Sequence, residues 1–142
     1  MSVDVFILNT AVADFRSSEF AFTEKLVGPG GLALCETSDM PEYTQQEYKQ
    51  WIDDGQVTVG GSGNTAPLIA RAGLNVAVGA NLGKGNFDGL DAQGQCFHDV
   101  MADNNVDVSQ LFVHSELPTG TTFIYNKGKQ ERGGIAYFPN AN

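Results

Sequence analysis

Apolar positions in this chain come in short, dense blocks broken by glycine, with stretches of helical spacing between them. Val3 to Leu8 is nearly continuous apolar sequence, which predicts a strand covered on both faces, as in parallel α/β sheets. Its end points at Asn9 to Asp14, expected as a loop, where the Asp14 carboxylate either accepts hydrogen bonds from a ligand's hydroxyls or is simply solvated or capping. Glu19 to Leu26 has the pattern of a short helix, broken by Gly28-Pro29-Gly30-Gly31, and Leu32 to Cys35 that of a short strand. Ser38, Asp39 and Pro41 supply a helix start, so Glu42 to Asp54 is predicted as a helix ended by Gly55. Tyr48, Trp51 and Ile52 share one face of it as core packing, and Tyr43 falls off that stripe.

The chain is organised around Val57 to Gly73. A β-branched run stops at Gly60-Gly61-Ser62-Gly63, and a helix is expected from Thr65 to Ala72 with Asn64 as its cap and Gly73 as its stop. Glycines let a backbone turn sharply and bring its N–H groups within reach of a ligand, and a helix start adds unpaired donors. Such a junction either suits hydroxyls or phosphate or serves only as a tight connection made by Gly60, Gly61 and Gly63. The pattern then repeats. Asn75 to Ala80 reads as a buried strand, Gly83 to Gly89 as a loop, and the segment to about Asn104 as a helix with Leu90, Phe97, Val100 and Met101 on one face. Leu111 to His114 is a further strand, so the middle of the chain predicts βαβ units with right-handed crossovers. Thr119 to Tyr125 and Gly133 to Phe138 flank the turn Asn126-Lys127-Gly128-Lys129 and predict a hairpin.

The chain has 142 residues, enough for one domain. Its net charge is −9, without a basic cluster, which argues against nucleic acid or an anionic membrane as partner. It also resists anionic substrates unless a local device collects them. No stretch approaches the ~20 apolar residues of a membrane span and no basic leader precedes Val3, so the expected location is cytoplasmic. Cys35 and Cys96 are far apart in sequence, and His98 and His114 are isolated. Free thiols are therefore expected rather than a disulfide, and no metal site is assigned.

In order, these elements and their motifs resemble the amino-terminal part of the PfkB/ribokinase family of carbohydrate and nucleoside kinases. Gly60-Gly61-Ser62-Gly63-Asn64-Thr65-Ala66 is similar to the family's glycine motif, and Gly83-Lys84-Gly85-Asn86-Phe87-Asp88 to its Gly-Asp-Asp-x-Phe-Gly loop. Asn105-Val106-Asp107 and Pro118-Thr119-Gly120 resemble its Gly-Val-Asp and Pro-Thr-Gly, and Glu131-Arg132 and Asn140-Ala141-Asn142 its Glu-Arg and Gly-Ala-Asn. Around Leu32 to Cys35 and Gly60 to Ser62 the wording leans toward the adenosine kinase-like branch. Two departures stand out. Lys84 and Gly85 replace the second loop's aspartates, and Asn9-Thr10 the Gly-Asn before the substrate aspartate.

The resemblance implies an α/β, ribokinase-like parallel-sheet sandwich, in its N-terminal part only, with a small β-hairpin lid drawn from about 15–35 and 119–138. It implies a sugar or nucleoside substrate, with Asp14 holding hydroxyls, Gly60 and Gly61 approaching by backbone, Asn64 hydrogen-bonding, and Thr121 and Phe123 as contacts from the lid. ATP and Mg2+ belong to the complete family enzyme; none is expected on this chain alone, which ends before the family's ATP loop and Gly-Ala-Gly-Asp motif. No catalytic residue is therefore assigned. The alternative is a non-catalytic module that forms a homodimer through the lid or an exposed sheet edge. A dinucleotide-binding domain using the Gly60 loop would need an acidic residue roughly 20 residues on, where Ala80-Asn81 stands.

Overall fold

The computed structural model describes residues 2–17, 31–34, 36, 40–127 and 131–140, including only the backbone of Lys127, Glu131 and Arg132. The expected helix Glu19 to Leu26, the proposed helix start at Ser38 and Asp39, Cys35 and the final Ala141-Asn142 lie outside the described residues. In chain order the elements are β1 (Val5–Leu8), β2 (Ala11–Ser17), β3 (Leu32–Leu34), α1 (Gln45–Asp53), β4 (Val57–Gly61), α2 (Ser62–Arg71), β5 (Val76–Phe87), α3 (Ala92–Asp103), β6 (Asp107–His114), β7 (Gly120–Lys127) and β8 (Glu131–Tyr137). They form two sheets. One is three-stranded and parallel, in the order β1-β5-β6. The other has the order β3-β8-β7-β2-β4 and mixes parallel pairs (β2 with β7, β3 with β8) with antiparallel ones (β2 with β4, β7 with β8). The α/β class and the terminal hairpin are as the sequence predicts.

Two apolar clusters hold these layers. Val76, Val78 and Leu82 of β5 pack with Phe97 and Met101 of α3 and with Ala66 of α2 behind the three-stranded sheet. Phe15, Phe123 and Ile135 of the larger sheet pack with Tyr48 of α1 and Ala92 of α3. Each buried phenylalanine contributes about 1.5–3 kcal/mol.

The structure corrects several boundaries, each for a local reason. β1 is not covered on both faces: Val5 and Ile7 turn to the core, while Phe6 is 53% and Leu8 78% exposed. Asp14 lies in the middle of β2 rather than in a loop. Helix α1 starts at Gln45, because Thr44 and Glu47 form a capping box: the Glu47 N–H donates to Thr44 Oγ1 at 3.2 Å and the Thr44 N–H to Glu47 Oε2 at 2.7 Å. Tyr43, ahead of that cap, joins the aromatic cluster after all, with its ring 4.6 Å from Trp51 and 5.7 Å from Phe123.

Helix α2 begins at Ser62, with Gly61 as its cap and no side-chain cap, so Asn64 sits inside the first turn. Only glycine fits at 61. Its φ is +60°, and a Cβ there would lie 2.1 Å from the Thr10 carbonyl oxygen. Strand β5 runs on through the expected Gly83 loop to Phe87, and Asp88 and Gly89 make the turn at positive φ. β6 likewise begins at Asp107, earlier than Leu111.

The chain passes from the smaller to the larger sheet between β6 and β7, and a buried carboxylate fastens that joint. Asp91, the cap of α3, accepts from the Gly94 N–H at 2.7 Å, the Thr119 hydroxyl at 2.6 Å and the Thr119 N–H at 2.8 Å. The Gly83 N–H of β5 in turn donates to Thr119 Oγ1 at 2.8 Å. Burial pushes the Asp91 carboxyl above the usual carboxylate range, and these hydrogen bonds from Thr119 and Gly94 oppose the rise. Gln45 links α1 to the same place, since its Oε1 accepts from the Ala92 N–H at 2.6 Å.

Candidate functional site

Alternation along β2 splits its side chains between two faces. Ala13 and Phe15 turn to the core, while Asp14 turns to the other face of the five-stranded sheet. Register then sets Asp14's neighbours: Thr58 on β4 and Thr122 on β7, with Thr122 opposite Ala136 on β8 and Ala136 opposite Leu34 on β3. A row Thr58–Asp14–Thr122–Ala136–Leu34 therefore crosses all five strands. Above it lies a cavity of about 330 Å3 walled by Leu32, Leu34, Ile124, Ala136 and Phe138, with Asp14 and Thr122 supplying its polar end.

Asp14 is the chemically distinctive group. Partial burial raises its carboxyl above the ordinary value, against the Thr122 hydroxyl bonded to it and the nearby Arg16 charge, both of which favour the ionised form. An ionised carboxylate only accepts hydrogen bonds, and two oxygens beside an apolar wall match a pair of alcohol hydroxyls. Gly60 makes room for it: a Cβ at that position would lie 2.6 Å from Asp14 Oδ2. Gly61, next in β4, turns the chain into α2. Asp14 and Gly60, both named from the sequence, are thus brought together, while Gly61, also named, pairs with Ala11 and lies outside the cavity wall.

Asn64, Thr121 and Phe123 are not brought to that cavity. Asn64 is exposed in the first turn of α2, is not its cap, and is absent from the wall around Asp14. Thr121 and Phe123 turn to the opposite face of β7 and are 2% and 0% exposed. Thr121 Oγ1 accepts from Gln93 Nε2 at 3.2 Å and donates to the Thr119 carbonyl at 3.1 Å, and the Phe123 ring stacks on Phe15 at 6.0 Å. Their neighbours Thr122 and Ile124 face Asp14 instead. A shift of one position exchanges the faces of a strand, and only the pairing of β7 with β2 fixes which set is which. Leu32, Leu34, Ala136 and Phe138 escaped sequence reading because they come from two strands distant from Asp14 in the chain.

Among the described residues no group of three His, Cys, Asp or Glu side chains is arranged to hold a metal ion. No residue is assigned here to Mg2+ or ATP. Cys96 is a free, partly buried thiol whose pKa burial pushes up to about 11. No helix among the described residues is long and apolar enough to cross a membrane.

No curated protein matches this chain by sequence. Among solved structures, adenosine kinase from Schistosoma mansoni in complex with 2-fluoroadenosine superposes with a TM-score of 0.63 at 16% identity, over 96% of this chain and 39% of that one. Anopheles gambiae adenosine kinase in complex with P1,P4-di(adenosine-5) tetraphosphate gives a TM-score of 0.65 at 18% identity, with the same coverage of 96% and 39%. Adenosine kinase from Sinorhizobium meliloti gives 0.61 at 20% identity, over 98% of this chain and 40% of that one. The chain therefore spans about two fifths of the length of these structures, and the likeness establishes a shared fold. The sequence profile described as pfkB family carbohydrate kinase matches residues 36–142, most of the chain, and with it the chain belongs to the pfkB family of carbohydrate kinases.

Proposed function

We propose that this chain is the acceptor-binding part of an ATP-dependent pfkB-type kinase and grips a sugar or nucleoside through its hydroxyls. The observation that carries this reading is the Asp14 carboxylate, hydrogen-bonded to Thr122 and set beside Gly60 at the mouth of an apolar cavity. In it, Asp14 accepts hydrogen bonds from one or two alcohol groups and so fixes which hydroxyl is presented. The walls of Leu32, Leu34, Ile124 and Phe138 take an apolar face, which favours a nucleoside base over a bare sugar. The five-stranded sheet acts as the lid over that ligand, with Thr122 and Ile124 rather than Thr121 and Phe123 as its contacts.

Phosphoryl transfer needs an aligned alcohol, a base and charge stabilisation at the transferred group. The present residues supply the alignment. In the complete family enzyme, ATP with Mg2+ supplies the phosphoryl group, and other residues supply the base.

Titration of the 142-residue chain with adenosine and with fructose, followed by amide chemical shifts, tests the reading. Saturable shifts at Asp14, Gly60 and Thr122 that vanish in Asp14→Ala support it. Shifts confined to other parts of the molecule refute it. Turnover of ATP and acceptor by the chain alone, lost in Asp14→Ala, would overturn the division of labour.

A second reading has one observation behind it. Phe6, Leu8 and Phe112 leave an apolar face of the three-stranded sheet open, with exposures of 53%, 78% and 65%. A non-catalytic module that pairs two copies through that sheet would cover them. A chain that stays monomeric at high concentration in light scattering removes this reading.

A further inference from the structure

The connection from β6 to β7 is closed by a side chain. His114, the last residue of β6, accepts at ring Nδ1 from the Glu116 N–H at 3.1 Å and from the Leu117 N–H at 3.0 Å. A backbone N–H can only donate, so Nδ1 carries no proton in this arrangement and the neutral ring holds its hydrogen at Nε2. Asparagine or aspartate closes turns of this kind with a side-chain oxygen. Histidine closes this one with an atom that can change from acceptor to donor.

Position gives the turn its weight. Pro118 and Thr119 follow directly, and Thr119 carries the hydrogen bonds to Asp91 and to the Gly83 N–H that join the two sheets. Gly83 is also the register partner of His114 on β5. The joint has little slack, because a Cβ at 83 would run into the Asp91 carboxylate and stand 2.8 Å from the Pro118 Cα. A small cavity of about 150 Å3 gathers the charged groups around the connection: Lys84 of β5, Asp91 at the cap of α3 and Glu116 of the turn itself, with α1 contributing the neutral Gln45.

The charge of a histidine changes between about pH 5 and 8. A proton on Nδ1 sets a donor against two other donors, so the Glu116 and Leu117 N–H groups lose their acceptor together. We infer that His114 is a proton-operated latch on the joint between the two sheets. Neutral, it closes the turn over Ser115 to Leu117 and keeps Pro118 and Thr119 seated against Gly83 and Asp91. Protonated, it releases the turn, and the joint loosens. The inference stands apart from the acceptor site at Asp14.

The test uses the 142-residue chain at pH 8 and at pH 5, with two readouts: the imidazole nitrogen resonances of His114, and amide-exchange protection factors at Gly83 and Thr119. Nδ1 should be unprotonated at pH 8. Loss of two hydrogen bonds predicts that protection at Gly83 and Thr119 falls roughly tenfold or more at pH 5. His114→Asn keeps a side-chain acceptor that does not titrate, so its protection should stay near the parent's pH 8 level at both pH values. His114→Ala should have reduced protection at both. A protonated Nδ1 at pH 8 overturns the inference, as does parent protection that is the same at both pH values. So does His114→Ala as well protected as the parent at pH 8, or an equal fall in His114→Asn, which would assign the response to Asp91 or another acid.

Discussion

Asp91 and Thr119, which are 28 positions apart, meet at both ends of one carboxylate: Oδ2 takes the threonine N–H at 2.8 Å and Oδ1 its hydroxyl at 2.6 Å. Because Thr119 stands where the chain enters β7, this pair fixes the approach of one sheet to the other. Asp91 is 3% exposed, and Thr119 is completely buried. Thr119→Val removes a hydroxyl that bridges Asp91 and the Gly83 N–H and leaves both without that partner. It should lower stability by about 2–3 kcal/mol, whereas Thr119→Ser should recover most of the loss. Urea unfolding with unchanged m value is the measurement.

The two faces of β7 predict opposite responses at adjacent positions. Phe123→Ala hollows the aromatic cluster with Phe15, Tyr43 and Tyr48 and should cost about 3–5 kcal/mol. Ile124→Ala, on the half-exposed face beside Asp14, should cost under about 1.5 kcal/mol. It should instead weaken whatever ligand occupies the cavity. Denaturant melts of both variants, paired with ligand titration, separate these effects.

Gly60 and Gly61 differ in what an added methyl group meets. At 61 it strikes a backbone carbonyl and imposes a positive φ, so Gly61→Ala should destabilise by more than about 1–3 kcal/mol. At 60 it meets the end of the Asp14 side chain, which can swing away. Gly60→Ala should therefore keep the fold within about 1 kcal/mol and lose ligand binding. Melting temperature and titration on the same samples decide between the two outcomes.

A pH series isolates Asp14. Its folded pKa is raised from 3.8, chiefly by burial, so the folded state holds the proton longer than the unfolded chain does. The protein consequently loses this contribution as pH climbs from about the unfolded value through the folded one. Asn at this position never ionises. The stability of Asp14→Asn relative to the parent should accordingly increase across that window and level off above it, as followed by chemical denaturation at stepped pH. A relative stability that falls with pH would mean that the Thr122 and Arg16 contributions outweigh burial.

Much of the fold was visible in sequence because each signal was local. The stop of α2 at Gly73, the buried strand from Val76 and the terminal hairpin each rest on a few neighbouring residues. Boundaries moved where two signals competed. Ser38, Asp39 and Pro41 point to an earlier helix start, but the reciprocal hydrogen bonds of the capping box between Thr44 and Glu47 set it at Gln45. At Gly61 the left-handed backbone starts the helix before Asn64 can cap it.

Of the candidate site, the neighbourhood of Asp14 and Gly60 was legible, because it depends on residue type. Which side of β7 meets Asp14 depends on register between segments more than a hundred residues apart in the chain, and no pattern within Gly120 to Lys127 encodes it. Five consecutive residues of β7, Thr121 to Tyr125, are buried or half-buried, so their alternation was hidden.

The order β3-β8-β7-β2-β4 sets segments from the two ends of the chain side by side. On the ribosome, β2 emerges about a hundred residues before β7, its parallel neighbour. Antiparallel pairing with β4 gives it an earlier but incomplete companion, leaving one border ready to pair with stray strands. Synthesis should therefore run ahead of completion of this sheet, and its assembly from denaturant should be paced by the long-range pairing of β2 with β7.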